Sequence, residues 1–416
     1  MGNRGIGQRY NILHMKMYIL RAWALWVRGL ILALLSVFLV ALFTEYTHAV
    51  TFAKTYGGGN DDRSRWDRCV QQTSDGGYIV AGYTNSFGAG GYDILLIKTD
   101  ANGNLQWAKT YGGTSDNDYA YSVQQTSDGG YIVTGITYSF GAGGGDFFLI
   151  KTDANGNVSW AKTYGRTGED RAYSVRQTSD GGYIVAGYTN SFGAGGIDIF
   201  LIKTDANGNV SWAKTYGGTG DDIARSVQQT SDGGYILAGE TNSFGAGGRD
   251  IFLIKTDANG NVSWAKTYGG TGNDHAFSIQ QTSDGGYIVA GETRSFGAGS
   301  WDVFLVKTDA NGNIQWAKTY GGTNSDWAQS VQQTSDGGYI VASATFSFGA
   351  GNFDIFLVKT DANGDIGSCG IVQNVTPTVT TPSVTVTTPS PTVLSVSPTV
   401  TSPSLTVTSP TLTVTA

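Results

Sequence analysis

The chain has 416 residues, among them 61 glycines, only 14% charged residues and a formal net charge of −7. That balance argues against long charged surface helices and for many tight turns between short strands. An acidic surface also disfavours nucleic acid and anionic membranes as partners.

Arg4, Arg9, Lys16, Arg21 and Arg28 lead into an apolar run at 29–43, which is followed by "TEYTHA". The run is shorter than the roughly 20 residues a membrane span needs. Thr47 and Ala49 suit cleavage after Ala49, so residues 1–49 read as a signal peptide, with an uncleaved anchor as the alternative. Initiation at Met15 or Met17 would shorten the leader to a more ordinary length. Without the leader, which holds five basic residues and one acidic one, the net charge moves from −7 to −11. The expectation is a secreted or cell-surface protein with no membrane insertion after cleavage. Export permits a Cys69–Cys369 staple, but an unpaired Cys69 fits equally well.

A repeat organises residues 50–370. "SDGGY" ends at Tyr78, Tyr131, Tyr183, Tyr235, Tyr287 and Tyr339, a spacing of 53 and then 52 residues. Each unit holds four strands: A ("SVQQT"), B ("YILAGET"), C ("IFLIKTD") and D ("VSWAKTY"). The Asp-Gly and Asn-Gly turns that join A to B and C to D tolerate positive φ, as hairpin turns require. Strand C is apolar on both faces, so both faces must be covered, as when small sheets stack around an axis. The pattern predicts an all-β, six-bladed propeller of four-stranded antiparallel blades. A linear solenoid would need polar capping units, and none is visible.

Strand D occurs at 50–56 before the first full unit and is missing after the sixth strand C. The N-terminal strand is therefore expected to complete the last blade and close the ring, leaving no free edge.

The repeated "TYGGTGDDIARSVQQTSDGGYILAGET…DIFLIKTDANG" resembles the secreted beta-propeller repeat of bacteria and archaea (SBBP-type), and its C–D part resembles quinoprotein-type blades. The resemblance covers about residues 50–366. It implies the fold and a surface or secreted setting, and little about activity.

Residues 371–416 are mostly Thr, Ser, Pro and Val, without charge or aromatic rings. Such a segment cannot build a core and is expected to be a disordered, extended, O-glycosylated type of stalk. Its Val-Thr alternation favours strands, while its prolines oppose a sheet.

The D–A and B–C loops share one face of the ring, and there the six copies differ. Three positions before the Cys or Ser of strand A stand Trp66, Tyr119, Arg171, Ile223, His275 and Trp327. One position before it stand Arg68, Tyr121, Tyr173, Arg225, Phe277 and Gln329. Before the Asp of strand C stand Tyr92, Gly145, Ile197, Arg249, Trp301 and Phe353. Aromatic and Arg side chains dominate interface hot spots, so this rim reads as a recognition surface for an extracellular glycan or protein. Drift at unconstrained positions is the bland alternative.

Asp118, Asp170, Asp222, Asp274 and Asp326 read as Asx caps, or else as a carboxylate ring. The six aspartates that open strand C read as structural. "DANGN" is explained as a hairpin turn, although Asp153, Asn155 and Asn157 resemble part of a calcium loop. Asn157, Asn209, Asn261 and Asn374 head glycosylation sequons. No nucleophile elbow, metal-ligand spacing or cofactor motif stands out, so no catalytic, metal or cofactor residue is assigned. The reading is a monomeric binding or adhesion module. A secreted glycan-active hydrolase or lyase using the same face, and a passive surface-layer protein, are the alternatives.

Overall fold

The computed structural model describes residues 52–64, 69–349, 351–367 and 370–388, together with short strands at 392–395, 399–401 and 406–408. The segment 1–49, expected to be a signal peptide, and Trp66, Arg68 and Cys369 lie outside the described residues. Propeller and tail form one compact unit, Phe52–Ala416. Every described element is a strand.

The six blades follow the repeat. Blade 4 runs Asp222–Gln229 (A), Tyr235–Thr241 (B), Asp250–Thr256 (C) and Val262–Gly269 (D), paired antiparallel in that order. Strand A is longer than the sequence suggested. It begins at the Asp four residues before the Ser, and a bulge between Ala224 and Ser226 absorbs the extra length. The rim positions before that Ser therefore stand on the first half of strand A, while those before strand C stay in the B–C loops.

Apolar residues on both faces of strands B and C lock each blade to the next. Ile184, Ala186, Ile199, Leu201 and Tyr216 of blade 3 meet Ala224, Tyr235, Leu237, Phe252 and Ile254 of blade 4. Burying one such side chain contributes roughly 1.5 to 3 kcal/mol. A second lock is polar. The Tyr164 hydroxyl donates to the Gly208 carbonyl at 2.6 Å, and Tyr216 treats Gly260 alike at 2.7 Å. Gly208 sits at φ 73°, and a Cβ there would lie 2.7 Å from the Trp160 ring, so the Asn-Gly turn cannot take a side chain.

The N-terminal segment repeats these contacts on blade 1. The Tyr56 hydroxyl donates to the Gly103 carbonyl at 2.6 Å, and Phe52 stands over Gly103 where other blades place Trp. Thr55–Gly57 thus holds the position of a strand D against the first blade. The seam with blade 6 is less complete. Strand C of blade 6, Asp354–Thr360, ends a three-stranded sheet, and no described strand pairs with its outer edge. Ile355 and Leu357 are 90% and 64% exposed, whereas their counterparts Ile251 and Leu253 are fully buried.

The tail is extended, as its composition requires, but it is not detached from the ring. Val372–Asn374 pairs with strand D of blade 5. Thr378–Thr380, Thr385–Thr387, Thr392–Ser395 and Thr399–Thr401 then pair with strand D of blades 4, 3, 2 and 1, and Thr406–Thr408 pairs with Thr55–Gly57. From the second triplet onward the register is constant, with Val379, Val386, Val393, Val400 and Val407 opposite Tyr268, Tyr216, Tyr164, Tyr111 and Tyr56. The chain's seven prolines all fall in this tail. Lacking N–H donors, they confine each pairing to a short stretch between them. Val-Thr strand propensity prevails within the triplets.

Candidate functional site

The inner strands A enclose a central channel, and two rings of hydrogen bonds tie them together. Val227 N donates to Ser174 Oγ and Ile279 N to Ser226 Oγ, both at 3.2 Å. Gln177 N donates to Gln124 Oε1 at 2.7 Å and Gln281 N to Gln228 Oε1 at 2.8 Å. Cys69 replaces Ser in blade 1. It is buried, with Sγ 3.7 Å from the Tyr121 carbonyl.

Above these rings, each strand A residue after the opening Asp pairs across the sheet with the residue before the last Thr of strand B. Arg63 faces Tyr83, Tyr119 faces Ile136, and Arg171 faces Tyr188. Ile223 faces Glu240, His275 faces Glu292, and Trp327 faces Ala344. Blade 1 has three more residues between Asp62 and Cys69 than blade 2 has between Asp118 and Ser122. Arg63, not Trp66, therefore holds the place of Tyr119.

Blades 1 to 3 build a pocket of about 490 Å³, lined by Arg63, Tyr83, Tyr92, Asn117, Tyr119, Tyr121, Tyr138 and Arg171. Tyr83 stands edge-on to Tyr92 and Tyr119, with centroids 5.3 and 4.9 Å away. Edge-to-face packing of this kind fixes ring positions. Asn117 Oδ1 accepts from Tyr92 N at 2.8 Å and so anchors the B–C loop. The Arg171 guanidinium lies 5.7 Å from the Tyr188 ring centroid and donates to Glu169 Oε1 at 3.0 Å and to the Tyr138 hydroxyl at 3.2 Å. Its Nε is buried and has no hydrogen-bond partner among the described residues. Burial pushes the Tyr119 and Tyr121 hydroxyls above their usual pKa, so they stay protonated donors.

Blades 4 and 5 are different in character. Tyr173 and Phe277 are buried, and Arg225 lies between them, 4.5 and 6.0 Å from their rings. Arg225 donates through Nη2 to Glu240 Oε1 at 2.8 Å and through Nε to Oε2 at 3.3 Å. Burial would raise the Glu240 carboxyl, but Arg225, His275 and Arg249 hold it below its usual range. His275 Nδ1 is 3.0 Å from Glu292 Oε1, its ring is 5.1 Å from Trp301, and Arg294 covers Trp301 at 4.4 Å. In blade 6, Trp327 and Phe346 pack on Phe353 at 4.5 and 3.6 Å.

The expected rim therefore divides. Tyr119, Tyr121 and Arg171 meet in one pocket. Tyr173, Arg225 and Phe277 form its buried continuation, while His275 with Trp301, and Trp327, form separate clusters. Tyr83, Tyr138, Glu240 and Glu292 were not singled out in the sequence.

The strand A aspartates cap structure. Asp118 Oδ2 accepts from Ser139 Oγ at 2.8 Å and from Gly113 N at 3.0 Å, and its Oδ1 accepts from Thr137 Oγ1. In the "DANGN" turns, Asp153 Oδ1 accepts from Asn155 N and Asn157 N at 2.9 and 2.8 Å, as an Asx turn should. The sequon residues Asn157, Asn209 and Asn261 link blades, accepting from Lys109, Lys162 and Lys214 at 2.8, 2.8 and 3.1 Å. Asn374 lies in the first tail strand, opposite Lys318.

The family comparison agrees with the architecture. A family model described as "Domain of unknown function (DUF5122) beta-propeller" matches residues 282–314, most of one blade. The "Regulatory protein FlaEY" of Caulobacter vibrioides is 28% identical over 239 residues, which is 50% of this chain and 24% of that protein. The chain thus spans about a quarter of that relative's length. A solved protein of unknown function from Bacteroides caccae aligns with a TM-score of 0.37 and 12% identity, covering 67% of this chain and 92% of that one. The chain is a six-bladed β-propeller, and part of its fifth blade matches that family model.

Proposed function

We propose that the propeller is an extracellular binding module that takes its ligand, a glycan, in the tyrosine-lined pocket of blades 1 to 3. One observation carries this reading: five tyrosines and two arginines converge on one recess of about 490 Å³. Rigid aromatic faces stack on sugar rings at low entropic cost, and phenol and guanidinium donors fix the hydroxyls. In blades 4 and 5, by contrast, Arg225 is already paired with Glu240 and His275 with Glu292. Glycan binding by the full chain, measured on an array and then by titration, tests the reading. Tyr119→Ala is expected to weaken binding roughly tenfold or more, in the range of interface hot spots. A second reading has one support of its own. A relative whose name is that of a regulatory protein supports a regulatory role for the propeller, and retention of a protein but no glycan would favour it. Turnover of a glycoside panel would instead favour the hydrolase alternative.

A further inference from the structure

We infer that the central channel is a second binding site, which holds a ligand bearing an oxyanion through Arg176. The channel encloses about 770 Å³, within the range of small-molecule sites. Its described lining is made of Gln, Ser, Val and Ile side chains from all six strands A, and Arg176 is the one charged residue in it.

Arg176 breaks a rule that the rest of the ring keeps. Its counterparts in the other blades are Gln71, Gln124, Gln228, Gln280 and Gln332. Gln71, Gln124, Gln228 and Gln280 each accept the backbone N–H of the next blade's Gln, at 2.6 to 2.8 Å. A guanidinium has only donors, so it cannot accept from Gln229 N. Blade 3 therefore gives up one rung of the inter-blade ladder at this position. Natural sequences break a local rule mostly where function requires it.

What the exchange supplies is a planar cationic fork in a wall of neutral amides. Four of these Gln Oε1 atoms accept from the next blade, and the neighbouring Gln72, Gln177 and Gln229 donate through Nε2 to the carbonyls of Gly76, Gly181 and Gly233. The lining holds no carboxylate among the described residues. A guanidinium in a channel lined otherwise by neutral residues suits a carboxylate or sulfate, which Arg binds through paired hydrogen bonds. This site is independent of the tyrosine pocket, which opens on the loop face and shares no lining residue with it.

The test uses the full chain and Arg176→Gln, which restores the residue found in the other blades and so is expected to fold. Sodium sulfate and sodium glucuronate are titrated at constant ionic strength, with sodium chloride as the control, following thermal melting and heat of binding. Ligand that binds the folded state alone raises the melting temperature with concentration. The wild-type chain should show such a rise with at least one anion, and Arg176→Gln should lose it while melting at the same temperature or higher without anion. A response to sulfate alone would assign a free inorganic oxyanion, and one to glucuronate would assign a carboxylated sugar. Equal responses in both proteins, or none in the wild type, would overturn the inference.

Discussion

Tyr56 donates its hydroxyl to the Gly103 carbonyl at 2.6 Å, the same bond that Tyr111 makes to Gly156 one blade further on. The likeness extends to neighbouring residues. Phe52 meets Tyr78 with centroids 5.7 Å apart, as Trp107 meets Tyr131 at 5.8 Å. Gly58 N donates to Asp62 Oδ2 at 2.7 Å, as Gly113 N does to Asp118 Oδ2 at 3.0 Å. Removing residues 52–58 should therefore uncover the face of blade 1 formed by Leu95, Ile97 and Ala108. The expected outcome is a lower melting temperature, binding of a hydrophobic dye and concentration-dependent aggregation, checked by light scattering.

The tail should protect strand D edges. Its triplets occupy edges that otherwise present unpaired N–H and C=O groups to solvent. Hydrogen exchange on the full chain is expected to show slowed amides in residues 378–380 and 385–387, separated by fast residues around the prolines. Truncation after Ile371 should lower solubility and speed exchange in strand D of blades 1 to 5. Unchanged exchange in those strands would contradict the pairing.

Arg225 and Glu240 should be coupled. Glu240 is buried, and Arg225 neutralises it through two hydrogen bonds. Arg225→Ala is expected to cost about 3 to 5 kcal/mol, because a buried carboxylate loses its partner. Adding Glu240→Gln should recover a large part of that loss. Denaturant midpoints of the two single variants and the double variant measure the coupling.

Melting should depend on pH with a maximum on the acid side of neutrality. Burial raises the carboxyls of Asp93, Asp146, Asp198, Asp250 and Asp302 from 3.8 to about 6, and Asp118, Asp170, Asp222, Asp274 and Asp326 beside them add to the rise. Their Oδ1 atoms in the first four pairs have no hydrogen-bond partner. Gly112 separates Asp93 Oδ1 from Asp118 Oδ2 so narrowly that the two oxygens lie within about 5 Å. A raised folded pKa gives stability that is full below 3.8 and lost as pH rises through about 6. The turn aspartates act in the opposite sense. Burial opposes ionisation of Asp128 and Asp180, yet Lys151 and Lys203 draw them to about 2, giving stability that is lost as pH falls toward that value. The melting temperature should be higher at pH 5 than at pH 8, and Asp198→Asn should reduce the difference. A profile that is flat, or highest at pH 8, would contradict the carboxyl assignment.

The blades were legible because their determinants are local. "SDGGY" and "DANGN" set the hairpins, and a strand C apolar on both faces required stacked sheets. Closure was legible in part: residues 52–57 look like a strand D and pack like one on blade 1. Their partner strand is Thr406–Thr408, a tail pairing that strand propensity alone does not reveal. The tail's seven-residue Thr-Val spacing was on the page, but only the ring geometry shows that it steps once per blade. The site was blurred by two things. The three extra residues that blade 1 carries between Asp62 and Cys69 shift its register, which hides the equivalence of Arg63 and Tyr119 in the sequence. Comparing strand A and strand C positions alone left out the end of strand B, which the sheet register places opposite them. Tyr83, Glu240 and Glu292 were hidden for that reason.

The central claim is that the recess around Tyr83, Tyr92 and Tyr119 is where the propeller takes hold of its ligand. The most direct measurement is glycan-array binding by the full chain beside a Tyr92→Ala/Tyr119→Ala double variant whose melting temperature is matched. Retention of a defined glycan by the first and its loss by the second is the predicted result. Equal retention by both would contradict it.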